Sequence, residues 1–268
     1  MSIPVIILAG GLGTRLENET LAKPKPMVSI GGYPIILHIM FRYALHGHNE
    51  FIILGGYKVE VIKDFFSDFH NNISNLKIKI SKSRSEIEIL EYKDKWVREH
   101  LTNFTVTILD TGLDSTTAGR ISQAKPLVNG RQFFCTYGDG LCDVDIDLLL
   151  RTHKRLGTQA TVTAVNPPSR FGDLSFGKNQ IAQDFHEKQL SSSYINGGYF
   201  VFEPSIFEEL NINKSLEEGL LTDLTSRRQL GVHIHSGFWQ NMDTPREMRI
   251  LNDLYMKKSA YWLEYKHR

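Results

Sequence analysis

The chain has 268 residues, of which 41% are hydrophobic and 23% charged, with 31 basic residues against 30 acidic ones. That balance leaves no net field to draw the protein to nucleic acid or to a membrane surface, so any anion it binds must be held locally. The length suffices for one large α/β core, and no run approaches the roughly 20 apolar residues that would span a bilayer.

Short β-branched runs alternate with helical periods: Val5-Ile6-Ile7-Leu8, then Pro34 to Leu45, Phe51 to Leu54 and Val59 to Phe69. This alternation predicts a mostly parallel sheet with covering helices. In the first helix Ile36, Ile39, Met40 and Tyr43 keep the spacing of one buried stripe, with Pro34 suited to the first turn and Gly47 to the stop. Residues 70–104 are richer in Asn, Lys, Ser and Glu, and the alternation Leu76-Lys77-Ile78-Lys79-Ile80 predicts an exposed strand within an insertion. Thr105 to Leu109, Phe133 to Tyr137 and Ala160 to Val165 read as central strands, with a helix between Asp147 and Leu156. The expected fold is a single α/β domain, 1–268, with a Rossmann-like sheet that is mixed, mostly parallel and flanked by helices. Residues 1–165 form its nucleotide-binding core, and 166–268 a smaller C-terminal β/α elaboration. That part holds a strand at Gly198 to Phe202 and a last helix opened by Thr244-Pro245-Arg246-Glu247. Those four supply a cap hydroxyl, a first-turn proline and a reciprocal glutamate.

Only Cys135 and Cys142 occur, and Cys135 falls inside an apolar strand-like run where a thiol acts as a small hydrophobe. That predicts a reducing, cytoplasmic setting. The apolar stretch Ile3 to Ala9 is interrupted by Pro4 and is too short and unflanked for a signal peptide.

Leu8-Ala9-Gly10-Gly11-Leu12-Gly13-Thr14-Arg15 comes directly after the first strand, which puts its glycines at the carboxyl end of that strand, where open α/β sheets bind ligands. Glycines there let backbone N–H groups converge on phosphate oxygens. A Walker loop would end in Gly-Lys-Ser or Gly-Lys-Thr, and here Gly13-Thr14-Arg15 stands instead. A dinucleotide fingerprint would need a glycine where Leu16 stands and an acidic residue about 20 positions on. The chain instead continues to Lys23-Pro24-Lys25-Pro26. Arg15 and Lys25 are the candidate catalytic cations. The first can grip phosphate oxygens in a planar fork, and the second is a point charge on a backbone fixed by two prolines. A tight glycine turn with surface cations is the plain alternative.

Tyr137-Gly138-Asp139-Gly140 ends a buried strand and places Asp139 at the same sheet edge, with Gly138 beside the nucleotide. Phe238-Trp239-Gln240-Asn241-Met242-Asp243-Thr244 brings a second carboxylate just before the last helix. Two carboxylates plus substrate phosphates suit Mg2+, which keeps waters and rarely takes a full protein cage. Either aspartate alone could equally be a turn or precap residue. Asp143, Asp145 and Asp147 read as exposed, helix-initiating acids, although Asp143-Val144-Asp145 imitates the Asp-x-Asp of A-type glycosyltransferases. His233 and His235 read as structural, and Phe238 and Trp239 as packing around Asp243.

Leu8 to Leu16, Lys23-Pro24-Lys25-Pro26-Met27-Val28 and Gly31-Gly32-Tyr33-Pro34-Ile35 resemble the start of the sugar-phosphate nucleotidyltransferases. Within them the doubled Lys-Pro is similar to the bacterial glucose-1-phosphate cytidylyltransferases. The resemblance implies the nucleotide-diphospho-sugar transferase type of fold and Mg2+ held by Asp139 and Asp243. It implies a homo-oligomer, trimer or hexamer, that condenses CTP with α-D-glucose 1-phosphate to CDP-glucose and pyrophosphate. That reaction begins the route to dideoxy sugars of surface polysaccharides such as O-antigen. Thr111 to Arg120 looks like the family's base-recognition segment, making Ser115 and Arg120 nucleotide candidates beside the glycine loop. Phe171-Gly172, Phe185-His186-Glu187-Lys188 and Ile195-Asn196-Gly197-Gly198 match the family's sugar-phosphate segments in order, which makes Glu187, Lys188, Asn196 and Gly197 the acceptor candidates. The chain departs from the family at Ala118, at Gln189 to Ser193, at Asp173 and at Gly219, mostly on the acceptor side. The same chemistry on another sugar 1-phosphate or with another nucleoside triphosphate is therefore the nearest alternative. An A-type glycosyltransferase and a silent nucleotide-binding regulator are more distant ones, since Arg15, Lys25 and both aspartates are retained.

Overall fold

Among the described residues seven strands form one central sheet, and their order fixes where the functional loops emerge. In the computed structural model, which describes residues 2–80, 85–92, 94, 97–98, 101, 103–167, 173–176, 179, 181–186 and 193–264, the order across the sheet begins with Leu230–His235, Ala160–Val165 and Ile195–Phe202. It continues through Phe133–Tyr137, Val5–Ala9, Glu50–Gly55 and Thr105–Asp110. Ile195–Phe202 runs antiparallel to both its neighbours, and the other pairs are parallel, so the sheet is mixed and mostly parallel as expected. This strand, from the C-terminal part, lies inside the sheet, between Phe133–Tyr137 and Ala160–Val165.

The two-residue period of the strands divides the core into two layers. Val5, Ile7, Phe51, Ile53, Phe134, Tyr199 and Val201 face one side, packed with the helices Ile35–Ala44, Ile146–Leu156 and Pro245–Met256. Ile6, Leu8, Ile52, Leu54, Phe133, Cys135, Phe200 and Phe202 face the other, against the helix Thr117–Gln123 and the turn Glu217–Leu221. Both cysteines are reduced and buried, and burial pushes both thiols above their ordinary value. No helix among the described residues is long and apolar enough to cross a membrane.

Three local expectations change. Thr105–Asp110 is an edge strand and not a central one, because among the described residues its neighbour Glu50–Gly55 is its sole partner in the sheet. Alternation reports two faces but says nothing of the lateral neighbours. The helix Ile35–Ala44 is buried at all ten positions, polar His38 and Arg42 included, where the spacing predicts a single stripe. The expected helix Val59 to Phe69 stops at Ser67 and gives way to a separate short helix, Phe69–Ile73. The exposed strand in the insertion is present as Ser74–Ile80, paired antiparallel with Ser85–Tyr92, and Ile78 and Ile87 face each other across the pair in solvent.

A buried arginine is costly unless its donors are met. Arg42 meets them with three carbonyls: Nε on Val144 at 2.7 Å, Nη1 on Glu264 at 2.8 Å and Nη2 on Asp143 at 2.9 Å. The side chain thus ties the segment after the Gly140–Cys142 strand, and the end of the chain, to the first helix. Arg42→Met should remove about 3 kcal/mol of stability, since it leaves buried carbonyls unpaired. Urea unfolding checks this, and a loss below about 1 kcal/mol would show that the carbonyls find other donors.

Candidate active site

The carboxyl ends of Val5–Ala9 and Phe133–Tyr137 lie side by side, with Leu8 in register with Tyr137. A cavity of ≈ 490 Å³ opens there. Leu8, Ala9, Gly10, Gly11, Leu12, Gly13, Thr14 and Arg15 line it, together with Lys25, Ser115, Arg120, Gly138, Asp139 and Asp243. Every residue proposed from sequence for the nucleotide or the metal is therefore on its wall. A second cavity of ≈ 310 Å³ adjoins it, lined by Asn196 and Gly197 and sharing Tyr137, Asp139 and Asp243 with the first. The acceptor candidates Glu187 and Lys188 lie outside the described residues, as do Phe171 and Gly172.

Two short segments bring the aspartates together. Gly140–Cys142 pairs antiparallel with Trp239–Asn241, and Met242 donates its N–H to the Asp139 carbonyl at 2.8 Å. Residues about a hundred positions apart thereby become neighbours. Gly138 is needed because the chain passes close to the first strand: a Cβ there would lie 2.8 Å from the Leu8 carbonyl oxygen and 2.9 Å from Pro26. Asp243 is held from the other side by the capping box of the last helix. The Glu247 carboxylate accepts from the N–H groups of Asp243 at 2.7 Å and Thr244 at 2.9 Å, as the Thr-Pro-Arg-Glu pattern predicts.

Lys25 sits at the convergence. It occupies the tight turn Lys25–Met27, with Pro26 and Met27 buried, and its Nζ donates to Asp139 at 2.6 Å and to Asp243 at 2.5 Å. Arg15, largely exposed, reaches the other Asp243 oxygen at 3.0 Å, and Asn241 donates to that oxygen at 2.7 Å. Burial drives the Lys25 pKa down, yet the attraction and hydrogen bonds of Asp139 and Asp243 outweigh it and hold the ammonium above its ordinary 10.5. Because the folded value is the higher one, the stability this ammonium contributes is complete below 10.5 and is lost only as pH climbs through the folded value.

Arg120, on the cavity wall, also holds the loop together. Its guanidinium is buried, and Nη1 donates to Gly55 at 3.0 Å, Thr111 Oγ1 at 2.6 Å and Gly112 at 2.7 Å. Nη2 donates to Gly10 at 3.1 Å and Leu113 at 3.0 Å. With these nitrogens committed to five oxygens, the side chain clamps the glycine loop to the 111–113 segment. A Cβ on Gly10 would fall 2.2 Å from that guanidinium, so the clamp requires glycine there. Ser115 donates its hydroxyl to the Thr111 carbonyl. Ala118, the departure from the family pattern, is buried.

Other readings are corrected too. Asp143 is not an exposed acid: its side chain is 8% exposed and pairs with His235 at 2.9 Å. Asp145 does cap its helix, accepting from Leu148 N–H at 2.8 Å, and Asp147 accepts from or pairs with His46 at 2.8 Å. His233 bonds Thr152 at 3.2 Å, a structural contact. Phe238 and Trp239 both pack against the core as expected, and Trp239 also lines the second cavity, its Nε1 donating to the Gly197 carbonyl at 2.8 Å. Sequence reasoning also missed Tyr137, Thr117 and Asn241 on the walls. Tyr137 had a signal available, its place at the carboxyl end of a central strand.

A mixed sheet with a glycine loop and paired carboxylates at its carboxyl edge places the protein among the nucleotide-binding α/β transferases. Residues 4–227 match the family model described as nucleotidyl transferase, and the chain belongs to that family. It is 40% identical over 260 residues to a glucose-1-phosphate cytidylyltransferase of Salmonella typhimurium, covering 96% of this chain and 97% of the relative. A probable glucose-1-phosphate cytidylyltransferase of Bacillus subtilis is 38% identical, covering 96% of this chain and 98% of the relative. Among solved structures, a putative glucose-1-phosphate thymidylyltransferase from Bacillus anthracis shares the fold with a TM-score of 0.64 at 20% identity, covering 99% of this chain and 98% of that one.

The electrostatics can be tested directly. In the Asp139→Asn, Asp243→Asn double variant the burial of Lys25 remains and its attraction is gone, so its pKa should fall below the ordinary 10.5. An NMR titration of the labelled lysine side chain measures it, and a value unchanged from the parent's would show that the carboxylates do not govern this group.

Proposed function

We propose that the protein condenses CTP with α-D-glucose 1-phosphate to CDP-glucose and pyrophosphate. The observation that carries this reading is Lys25 held between Asp139 and Asp243 on the wall of a cavity that the glycine loop also lines. The names of the relatives that match nearly the whole chain support the choice of cytidine and glucose.

The triphosphate would lie along the glycine loop, its oxygens facing backbone N–H groups, with the base toward Ser115 and the segment that Arg120 clamps. The sugar phosphate would occupy the second cavity beside Asn196 and Gly197, with Glu187 and Lys188 as its further ligands. Its phosphate oxygen then attacks the α-phosphorus in line, which needs no covalent intermediate because the monoester is already ionised. Arg15 and Lys25 stabilise the departing pyrophosphate. Asp139 and Asp243 fit a divalent cation, since both offer oxygen to the single position that Lys25 Nζ now holds. Bound there, Mg2+ would supply positive charge between the two phosphates as they approach. We read the enzyme as a homo-oligomer acting in the cytoplasm, in line with the resemblance and with the apolar, exposed Ile78 and Ile87 on the paired strands of the insertion.

Pyrophosphate release measured over a grid of nucleoside triphosphates and sugar 1-phosphates should be fastest with CTP and glucose 1-phosphate. A faster pair would reassign the substrates, and no release with any pair would overturn the reaction class. Asp139→Asn and Lys25→Ala should each lower kcat by about 10²–10³ with the circular dichroism spectrum unchanged. A Lys25→Ala variant that only raised the sugar phosphate KM would place Lys25 on the wrong substrate.

A further inference from the structure

Tyr137 lines both cavities and is also bonded to a residue on neither wall. Its hydroxyl donates to the Glu217 carboxylate and accepts from Asn196 Nδ2 at 3.2 Å. Asn196 Oδ1 in turn accepts from the Gly198 N–H at 2.8 Å. The two ends of this chain of bonds determine its direction. A backbone N–H can only donate, so the Asn196 oxygen must face Gly198 and its nitrogen must face Tyr137. An ionised carboxylate can only accept, so the Tyr137 proton must go to Glu217 and the phenol oxygen is left to receive Asn196. Burial, and after it the nearby Glu217 charge, raises the Tyr137 pKa well above its ordinary value and keeps that proton in place. One Asn196 amide hydrogen remains, and Asn196 lines the second cavity.

We propose that Glu217 is a positioning residue for the acceptor sugar, acting through Tyr137 to fix Asn196 as a hydrogen-bond donor to a sugar hydroxyl oxygen. Glu217 lines neither cavity. It is itself held by the nucleotide side of the site, because the preceding Leu216 donates its N–H to Thr117 Oγ1 at 2.6 Å and Thr116 donates to the Ile212 carbonyl at 2.7 Å. The 212–217 segment therefore spans from the base-recognition helix to the acceptor wall. Nothing in the local sequence around Glu217 marks it, since its role exists only through the Tyr137 bond.

The inference rests on assigning the second cavity to the sugar phosphate. Steady-state kinetics of Glu217→Ala should show the sugar phosphate KM raised about tenfold, the cost of one lost hydrogen bond, with kcat and the nucleoside triphosphate KM within about twofold of the parent. Glu217→Gln, whose amide oxygen can still accept the Tyr137 proton, should restore the KM to within about threefold. Tyr137→Phe should raise the same KM, and adding Glu217→Ala to it should raise it no further. Tyr137→Phe carries the test alone if Glu217→Ala does not fold. An unchanged sugar phosphate KM, an equal rise in the nucleotide KM, or additive effects in the double variant would each overturn the proposal. A parent enzyme that turns over while Glu217→Ala keeps its KM refutes this inference alone, whereas a parent that releases no pyrophosphate with any pair refutes the functional reading beneath it.

Discussion

Two carboxylates brought to one point repel each other, and a protein that does so must supply a cation to hold the arrangement. At an effective dielectric near 20, unit charges about 4 Å apart interact by about 4 kcal/mol, enough to matter against a marginal total stability. Lys25 provides that cation at 2.6 Å and 2.5 Å from Asp139 and Asp243, and Arg15 adds a second positive charge at the cavity mouth. The cluster is formally neutral, two cations against two carboxylates. A polyanionic substrate entering it meets cations already in place, whose charge a metal on the aspartates would release for phosphate.

The rest of the architecture serves this convergence. The parallel pairing of Val5–Ala9 with Phe133–Tyr137 aligns the glycine loop with Gly138-Asp139, and the small ladder of Gly140–Cys142 with Trp239–Asn241 adds Asp243. Arg42 and the capping box of the last helix then secure the backbone on either side of that ladder. Arg120 pins the glycine loop, so a buried guanidinium fixes that loop in place. Preorganised dipoles and charges need not be reordered when charge develops in a transition state.

Much of the site is legible in the linear chain because its chemistry is local. A strand that runs at once into three glycines and two cations predicts a phosphate loop through residue type and spacing, and the Thr-Pro-Arg-Glu cap states where the last helix begins. Arg120 is legible as a residue of the site but not in its role. Two of the five oxygens that its guanidinium meets, those of Gly10 and Gly55, come from outside its own segment, and they make it a clamp on the glycine loop. Trp239 packs as the linear chain suggests, and only its bond to Gly197, which joins positions the chain keeps far apart, is not legible there.

The sequence by itself determined the ingredients of the site: a glycine loop distinct from the Walker and dinucleotide types, two cations, two carboxylates, and a largely parallel sheet to carry them. These come from residue chemistry and short-range periodicity, which do not depend on how distant segments meet. Only the tertiary structure decided that Thr105–Asp110 is an edge strand, that Ile195–Phe202 enters the central sheet antiparallel, and that Trp262 of the C-terminal segment packs inside the domain with its Nε1 on His38 at 3.1 Å. It alone brought Glu217 to Tyr137 and set Lys25 between Asp139 and Asp243. Such facts depend on strand register and lateral order, which are settled by the summed packing of the whole core and leave no mark on any single stretch of chain.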